Sequence, residues 1–220
     1  MLLAIDTATA LTGLACYDQD GLQAECIWQS GRNHTRQLLP QIQVLLQHLG
    51  RQPADLQVVA VALGPGSWSG LRVGMSVAKG MTLAGDLQIL GVNTLDALAY
   101  QHQYATTLIC PLIRLGRHRF ATTIVQPLEK GQGIDTYHNL TLTELCARLH
   151  APVLFCGDID ADVQAELQHY LGTNAHFPSV AANLRRPGYL AELAWQRFVA
   201  GERDNLARLE PLYLGEPVKV

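Results

Sequence analysis

The 220 residues suffice for one large domain or two small ones with a sizeable core. Sixteen Lys and Arg against 19 Asp and Glu leave a net charge of −3 and a pI near 6.2. That excludes the basic field of an autonomous nucleic-acid binder, so any work on RNA needs a partner to supply most of the phosphate affinity.

In chain order, Leu2–Ala8, Leu11–Tyr17 and Gln23–Gln29 read as strands, with Asp18-Gln19-Asp20-Gly21 a hairpin signal. Leu38, Leu39, Ile42, Leu45, Leu46 and Leu49 recur at helical spacing and predict a helix over Thr35–Leu49 closed by Gly50. Pro40 lies near its first turn or kinks it. A strand is expected at Leu56–Leu63, a helix at Ser69–Ala84, a strand at Leu87–Val92 and a helix at Thr94–Gln103. The second half repeats this order. Strands are expected at Thr107–Ile113, Arg119–Gln126 and Ile134–Leu140, then a helix from the capping box Thr141-Leu142-Thr143-Glu144 to about Leu149. A strand at Val153–Cys156, a helix at Asp160–Leu171, a short strand at Ala175–Pro178 and a helix at Pro187–Ala200 with proline at its start complete it. Both halves run βββαβαβα. The expected fold is α/β, with mixed sheets flanked by helices in two lobes, residues 1–103 and 104–220. The last helix or tail is free to return to the first lobe.

Apolar residues make up 48% of the chain, an excess that fits a persistent interface. Cys16, Cys26, Cys110, Cys146 and Cys156 form no CxxC pair, which suits a reducing cytoplasm. MLLAIDTA lacks a basic signal-peptide start, and no apolar run approaches the ~20 residues of a membrane span, so no membrane association is expected.

The segment Val58–Ala84 is the most informative. An apolar strand enters Gly64-Pro65-Gly66, and the loop opens a helix crowded with small residues. Such a loop can hold an anion, but no Lys-Ser or Lys-Thr follows, so it is not the phosphate loop of an NTPase. Gly70, Gly74 and Ala78 mark one face of the helix; Ser76, Gly80 and Ala84 mark another. Each interior Gly costs roughly 1 kcal/mol against Ala. The helix should therefore press against two neighbours, one of them a helix from another chain. The predicted partner interface is His34, Leu38, Leu39, Ile42, Leu45 and Leu46 on the first helix, with Gly70, Val73, Gly74, Val77, Ala78 and Met81 on the second. Two such helices can supply half of an intermolecular four-helix bundle.

A βββαβαβα unit used twice resembles the layout of the actin, Hsp70 and sugar-kinase superfamily, and Leu3-Ala4-Ile5-Asp6-Thr7-Ala8-Thr9 resembles its opening phosphate-loop strand. Asn33-His34-Thr35-Arg36-Gln37-Leu38-Leu39-Pro40, the run from Gly64 to Gly74, Gly91-Val92-Asn93-Thr94-Leu95-Asp96-Ala97-Leu98-Ala99 and Pro211-Leu212-Tyr213-Leu214 resemble signatures of the TsaB family. These are dimerization subunits of the bacterial machinery that makes threonylcarbamoyladenosine in tRNA. The match is dense in the first lobe and only in outline in the second.

The resemblance implies a non-catalytic scaffold. It would pair with the catalytic relative TsaD, or with itself when alone, and be engaged by the ATPase TsaE. It would meet tRNA only indirectly. TsaD would modify the adenosine beside the anticodon of ANN-reading tRNAs. TsaD carries an HxxxH metal pair after the strand equivalent to Leu87–Val92. Here Thr94 and Leu98 fall on those positions, and neither suits a transition metal. No other His spacing suggests a metal. Where TsaB proteins commonly show Asp-Ala-Arg, this chain has Arg114-Leu115-Gly116-Arg117.

Asp6, Thr7, Gly64, Gly66 and Ser67 are candidate nucleotide contacts, because kinase relatives place a carboxylate at this strand end. Asp6 and Thr7 can equally brace a turn, and Ala8 stands where the kinase loop wants glycine. No cofactor is expected beyond weak ATP or ADP binding. The alternative function is a small ATP- or sugar-phosphate-handling enzyme using Asp6 and the Gly64–Gly70 loop.

Overall fold

The computed structural model describes residues 1–31, 33–116, 118–127 and 137–214. The first half contains β1 (Leu2–Asp6), β2 (Leu11–Asp18), β3 (Gly21–Gln29), α1 (His34–His48), β4 (Val58–Gly64), α2 (Trp68–Gly85), β5 (Gln88–Asn93) and α3 (Thr94–Gln101). The second contains β6 (Leu108–Arg114), β7 (Phe120–Thr122), β8 (His138–Leu140), α4 (Leu142–Cys146), β9 (Val153–Gly157), α5 (Ala161–Leu171), β10 (Ala175–His176) and α6 (Pro187–Val199).

The two sheets share one topology. The first runs β3-β2-β1-β4-β5 and the second β8-β7-β6-β9-β10. In each, the opening strand is antiparallel to its hairpin partner and parallel to the strand that follows the first long connection. The α/β fold of repeated order is as expected, and strand and helix limits agree to within a few residues across the first half. The second half is trimmer. The strand expected at Arg119–Gln126 pairs only over Phe120–Thr122 and resumes as a single bridge between Ile109 and Val125. Residues 134–136 of the strand expected at Ile134–Leu140 lie outside the described residues. The helix expected to reach Leu149 ends at Cys146, because Arg148 and Leu149 donate to Leu145 and Cys146, three residues back, and the last turn tightens.

The chain divides into two compact units, Met1–Thr94 with Arg186–Leu212, and Leu95–Arg185 with Tyr213–Val220. The expected boundary at 103/104 is therefore moved, and packing explains the move. Leu95, Leu98 and Ala99 of α3 join Ile109, Ile113, Ala121 and Cys156 in a core of the second unit. Leu190, Ala191 and Ala194 of α6 are buried on the first sheet, so the last helix sits with the first unit.

In the first unit β1 is buried along its whole length, as a central strand covered on both faces must be. Leu3, Ile5, Leu14, Cys16, Val59 and Val61 turn to one face, where they meet Leu38, Ile42, Leu45 and Leu46 of α1 and Met75 and Ala78 of α2. Helix α1 ends in a Schellman motif. Gly50, at φ +63°, donates to Gln47 O at 3.0 Å, and Arg51 donates to Leu46 O at 2.9 Å. Helix α2 begins at Ser67, whose side chain accepts from Gly70 N at 3.3 Å.

Behind α6 the chain returns along β5, an edge strand. Asp204 Oδ2 accepts from Gly91 N at 2.8 Å, and Arg197 Nη1 donates to Gly91 O at 2.6 Å. Arg197 Nη2 also reaches Asp204 Oδ1 at 3.3 Å, so one ion pair stands in for a neighbouring strand. Leu206 and Leu209 then pack on the α1–α2 core, and Leu212 N donates to Leu63 O at 2.7 Å. Asp204→Ala leaves Gly91 N–H and the guanidinium without this acceptor. The expected loss is about 1–3 kcal/mol in urea unfolding; an unchanged midpoint would remove the clamp from the account.

Candidate functional site

Three glycines decide how α2 sits. A Cβ placed on Gly66 would lie 2.2 Å from Ala8 O, one on Gly70 2.2 Å from Thr7 O, and one on Gly74 2.3 Å from Thr7 Oγ1. The helix thus lies almost on the backbone that leaves β1. Thr7 Oγ1 donates to Gly70 O at 2.8 Å and Ser67 N donates to Ala8 O at 2.6 Å, which ties the two loops together. Gly64 adopts φ +100°, and a Cβ there would meet Leu212 O at 2.8 Å.

This packing corrects the expected interface. Gly70, Gly74 and Ala78 are buried by this chain's own β1 and its turn, so their small size serves internal packing. On α1, His34, Leu38, Ile42, Leu45 and Leu46 are buried in the first unit as well. A side chain already sealed in the core has no surface to offer a second molecule. Of the twelve expected residues, Leu39 is 54% exposed and Val73, Val77 and Met81 are half-buried.

The second small-residue face is open. Ser76, Gly80 and Ala84 are exposed, and nothing lies within 4 Å of a Cβ built on Gly80. With Ser69, Val73 and Val77 they fall within an arc of about 100° on the helix. The arc is small, apolar or hydroxylic, and holds no charge. Beside it Trp68 is 58% and Leu83 74% exposed, with the Arg72 guanidinium 3.3 Å from the Trp68 ring centroid. The interface expected from the sequence omitted Trp68 and Leu83. Their spacing from Ser76, eight residues for Trp68 and seven for Leu83, was the available signal.

The nucleotide candidates are brought together, in a bracing arrangement. Asp6 is 4% exposed, and its Oδ1 accepts from Ala8 N at 2.9 Å, closing the turn after β1. Thr7 and Ser67 spend their side chains on Gly70. Gly64 and Gly66 are required by the backbones of Leu212 and Ala8. At the positions of the catalytic relative's imidazoles, Thr94 and Leu98 are both fully buried, and Leu98 belongs to an apolar core. Among the described residues no group of three His, Cys, Asp or Glu could hold a metal. Arg114 pairs with Asp160 at 2.6 Å, while Arg117 lies outside the described residues.

His34 anchors the start of α1. Its Nδ1 lies 2.8 Å from Thr12 Oγ1, itself fully buried. Burial lowers its pKa below the ordinary 6.5, partly opposed by a backbone hydrogen bond to Gly31.

The family described as TsaD: tRNA N6-adenosine threonylcarbamoyltransferase matches residues 28–218. The tRNA threonylcarbamoyladenosine biosynthesis protein TsaB of Bacillus subtilis (strain 168) is 30% identical over 218 residues, covering 97% of this chain and 93% of that protein. The protein of the same description from Escherichia coli (strain K12) is 37% identical over 98 residues, 44% of this chain and 42% of its own length. A crystal structure of an uncharacterized protein with similarity to peptidase YEAZ, from Pseudomonas aeruginosa, superposes with a TM-score of 0.81 at 21% identity. It covers 97% of this chain and 99% of that one, a likeness of fold.

Two measurements test the site's construction. Gly74→Ala should lose about 1–3 kcal/mol by overpacking against Thr7, whereas Gly80→Ala should gain roughly 1 kcal/mol of helix propensity. Equal shifts would show that the two faces of α2 are alike. The pH test follows from His34. The fold holds it neutral, so its contribution is complete above the unfolded pKa near 6.5 and falls as pH drops toward the lowered folded value. His102, also lowered by burial, acts in the same sense. His34→Asn should flatten the decline in unfolding free energy between pH 7 and 5; a parallel decline would contradict the burial argument.

Proposed function

The chain belongs to the TsaB family of actin-like proteins, and from that premise we propose that it is a non-catalytic scaffold that activates TsaD by pairing with it. Its role lies in threonylcarbamoyladenosine biosynthesis on tRNA. The observation that carries the pairing reading is the outer arc of α2. A helix surface of Val73, Val77, Gly80 and Ala84, without charge and with room at Gly80 for a close backbone, suits helix-on-helix contact. On α1, Leu39 is 54% exposed.

The scaffold acts by population shift. A partner that binds only the competent conformer of TsaD raises its occupancy, and the transfer of the threonylcarbamoyl group to N6 of the adenosine takes place on TsaD. TsaE engages the assembled pair, and tRNA is met through TsaD. Alone, the chain pairs with itself through the same face. The reading assigns it no cofactor; the loop around Asp6 and Ser67 braces α2, and any ATP or ADP binding there is weak. It works in the cytoplasm with its tRNA. No helix among the described residues is long and apolar enough to cross a membrane.

Reconstitution tests this directly. TsaD, TsaE, tRNA and threonylcarbamoyl-adenylate should turn over many times only when this chain is added. Gly80→Gln should keep the fold, lose co-elution with TsaD and reduce the multi-turnover rate at least roughly tenfold, the effect of about 1.4 kcal/mol lost in pairing. TsaD working at full rate alone would end the proposal.

A further inference from the structure

The first sheet has two edge strands, and only one of them is closed. β5 is covered by Asp204 and Arg197, whereas among the described residues no backbone group outside β2 bonds to the backbone of β3. Nor does β3 carry the Lys or Pro that commonly guards an open edge. Its one charged residue, Glu25, is spent on α6: Oε1 accepts from Arg186 Nε at 2.7 Å, and Oε2 accepts from Gly188 N at 3.2 Å. Pairing with β2 skips Gln23, between Leu22 and Ala24. That bulge bends the start of the strand and leaves residues 24–29 as a regular run, half-buried from Ala24 to Trp28. In the second sheet the outermost strands are short, three residues in β8 and two in β10.

We propose that this edge is an interface with a second copy of the chain, in which β3 pairs antiparallel with β3 about a two-fold axis at Cys26 and joins the two five-stranded sheets. Two identical antiparallel strands related by a two-fold axis must set one residue opposite itself, because neighbouring residues point to opposite faces. An axis at Glu25 would put two carboxylates face to face. With the axis at Cys26, Glu25 lies opposite Ile27 and Ala24 opposite Trp28. No like charges meet, and a small side chain faces the largest one on the strand. An axis at Ile27 would set Cys26 against Trp28 and carry Ala24 opposite Ser30, beyond the end of β3. The occupant is a second copy because the run is complementary to itself at Cys26. This contact is separate from the outer arc of α2, a helix that packs over β1, β4 and β5, and it does not depend on the pairing with TsaD.

The test uses the full chain carrying Gly80→Gln, which removes pairing through α2. Sedimentation equilibrium should still show dimers. Adding Cys26→Lys sets two ammonium groups on the axis and should weaken self-association at least roughly tenfold; circular dichroism and the unfolding midpoint report that this variant is folded. The axis is read by cross-linking. Opposed residues of an antiparallel pair have Cα atoms about 4.5–5.5 Å apart, within the range of a disulfide. Cys26 is half-buried, whereas Cys16, Cys110, Cys146 and Cys156 are buried. Diamide takes two electrons and two protons from a pair of thiols as the S–S bond forms, and it should link Cys26 to Cys26, as found by peptide mapping. Mildly alkaline pH is used because burial raises this thiol's pKa. Cys26→Ser should lose the link and still sediment as a dimer. A monomer at every concentration, a dimer that Cys26→Lys leaves intact, or a dimer that diamide does not link through Cys26 would each overturn the proposal.

Discussion

The close seat of α2 on the turn that leaves β1 is the constraint from which the rest follows. Gly66, in the loop before the helix, and Gly70 allow close approach to the backbone of Ala8 and Thr7, Gly74 makes room for the Thr7 side chain, and Thr7 Oγ1 and Ser67 N fasten the contact. A side chain at Gly66 or Gly70 would collide with backbone oxygen, and one at Gly74 would overpack Thr7, each forcing the helix or its neighbour to shift. Once α2 is held there, Leu71, Met75, Ala78 and Thr82 are buried beneath it, and its opposite side is fixed in orientation toward the outside. The same contact takes up Thr7, Ser67 and Gly66, which the sequence had offered as nucleotide contacts. One interaction therefore both builds the outer face and closes the inner loop.

The remainder of the first unit supports that seat. Helix α1 contributes its leucines and Ile42 to the shared core and is pinned at its start by His34 on Thr12. The chain behind α6 closes the exposed edge of β5 with Arg197 and Asp204 and adds Leu206 and Leu209 beneath the helices. A free edge strand offers unpaired N–H and C=O groups to any other strand.

Much of this was legible in the sequence. The strand and helix order of both halves, the hairpin at Asp18–Gly21, the Gly50 cap and the Thr141–Glu144 capping box are local signals, and the structure carries each of them. The small residues of α2 were also readable as two faces. What lies against each face was not, because Thr7 is 63 residues from Gly70 and helical spacing records a face without naming its neighbour. Gly70, Gly74 and Ala78 were consequently assigned to a foreign helix when β1 and its turn claim them. The boundary at 103/104 failed for a similar reason. Leu95–Ala99 and Leu190–Ala194 find their cores in units that chain order alone does not assign them.

Backbone hydrogen exchange, measured on the chain alone and with TsaD added, is the most direct measurement of the central claim. The account predicts that peptides of α1 and α2 gain protection in the complex, while the Asp6–Ala10 turn, protected already, changes little with either TsaD or ATP. Protection gained at Asp6–Ala10 and Gly64–Ser67 on adding ATP, with none at α1 and α2 on adding TsaD, would contradict it.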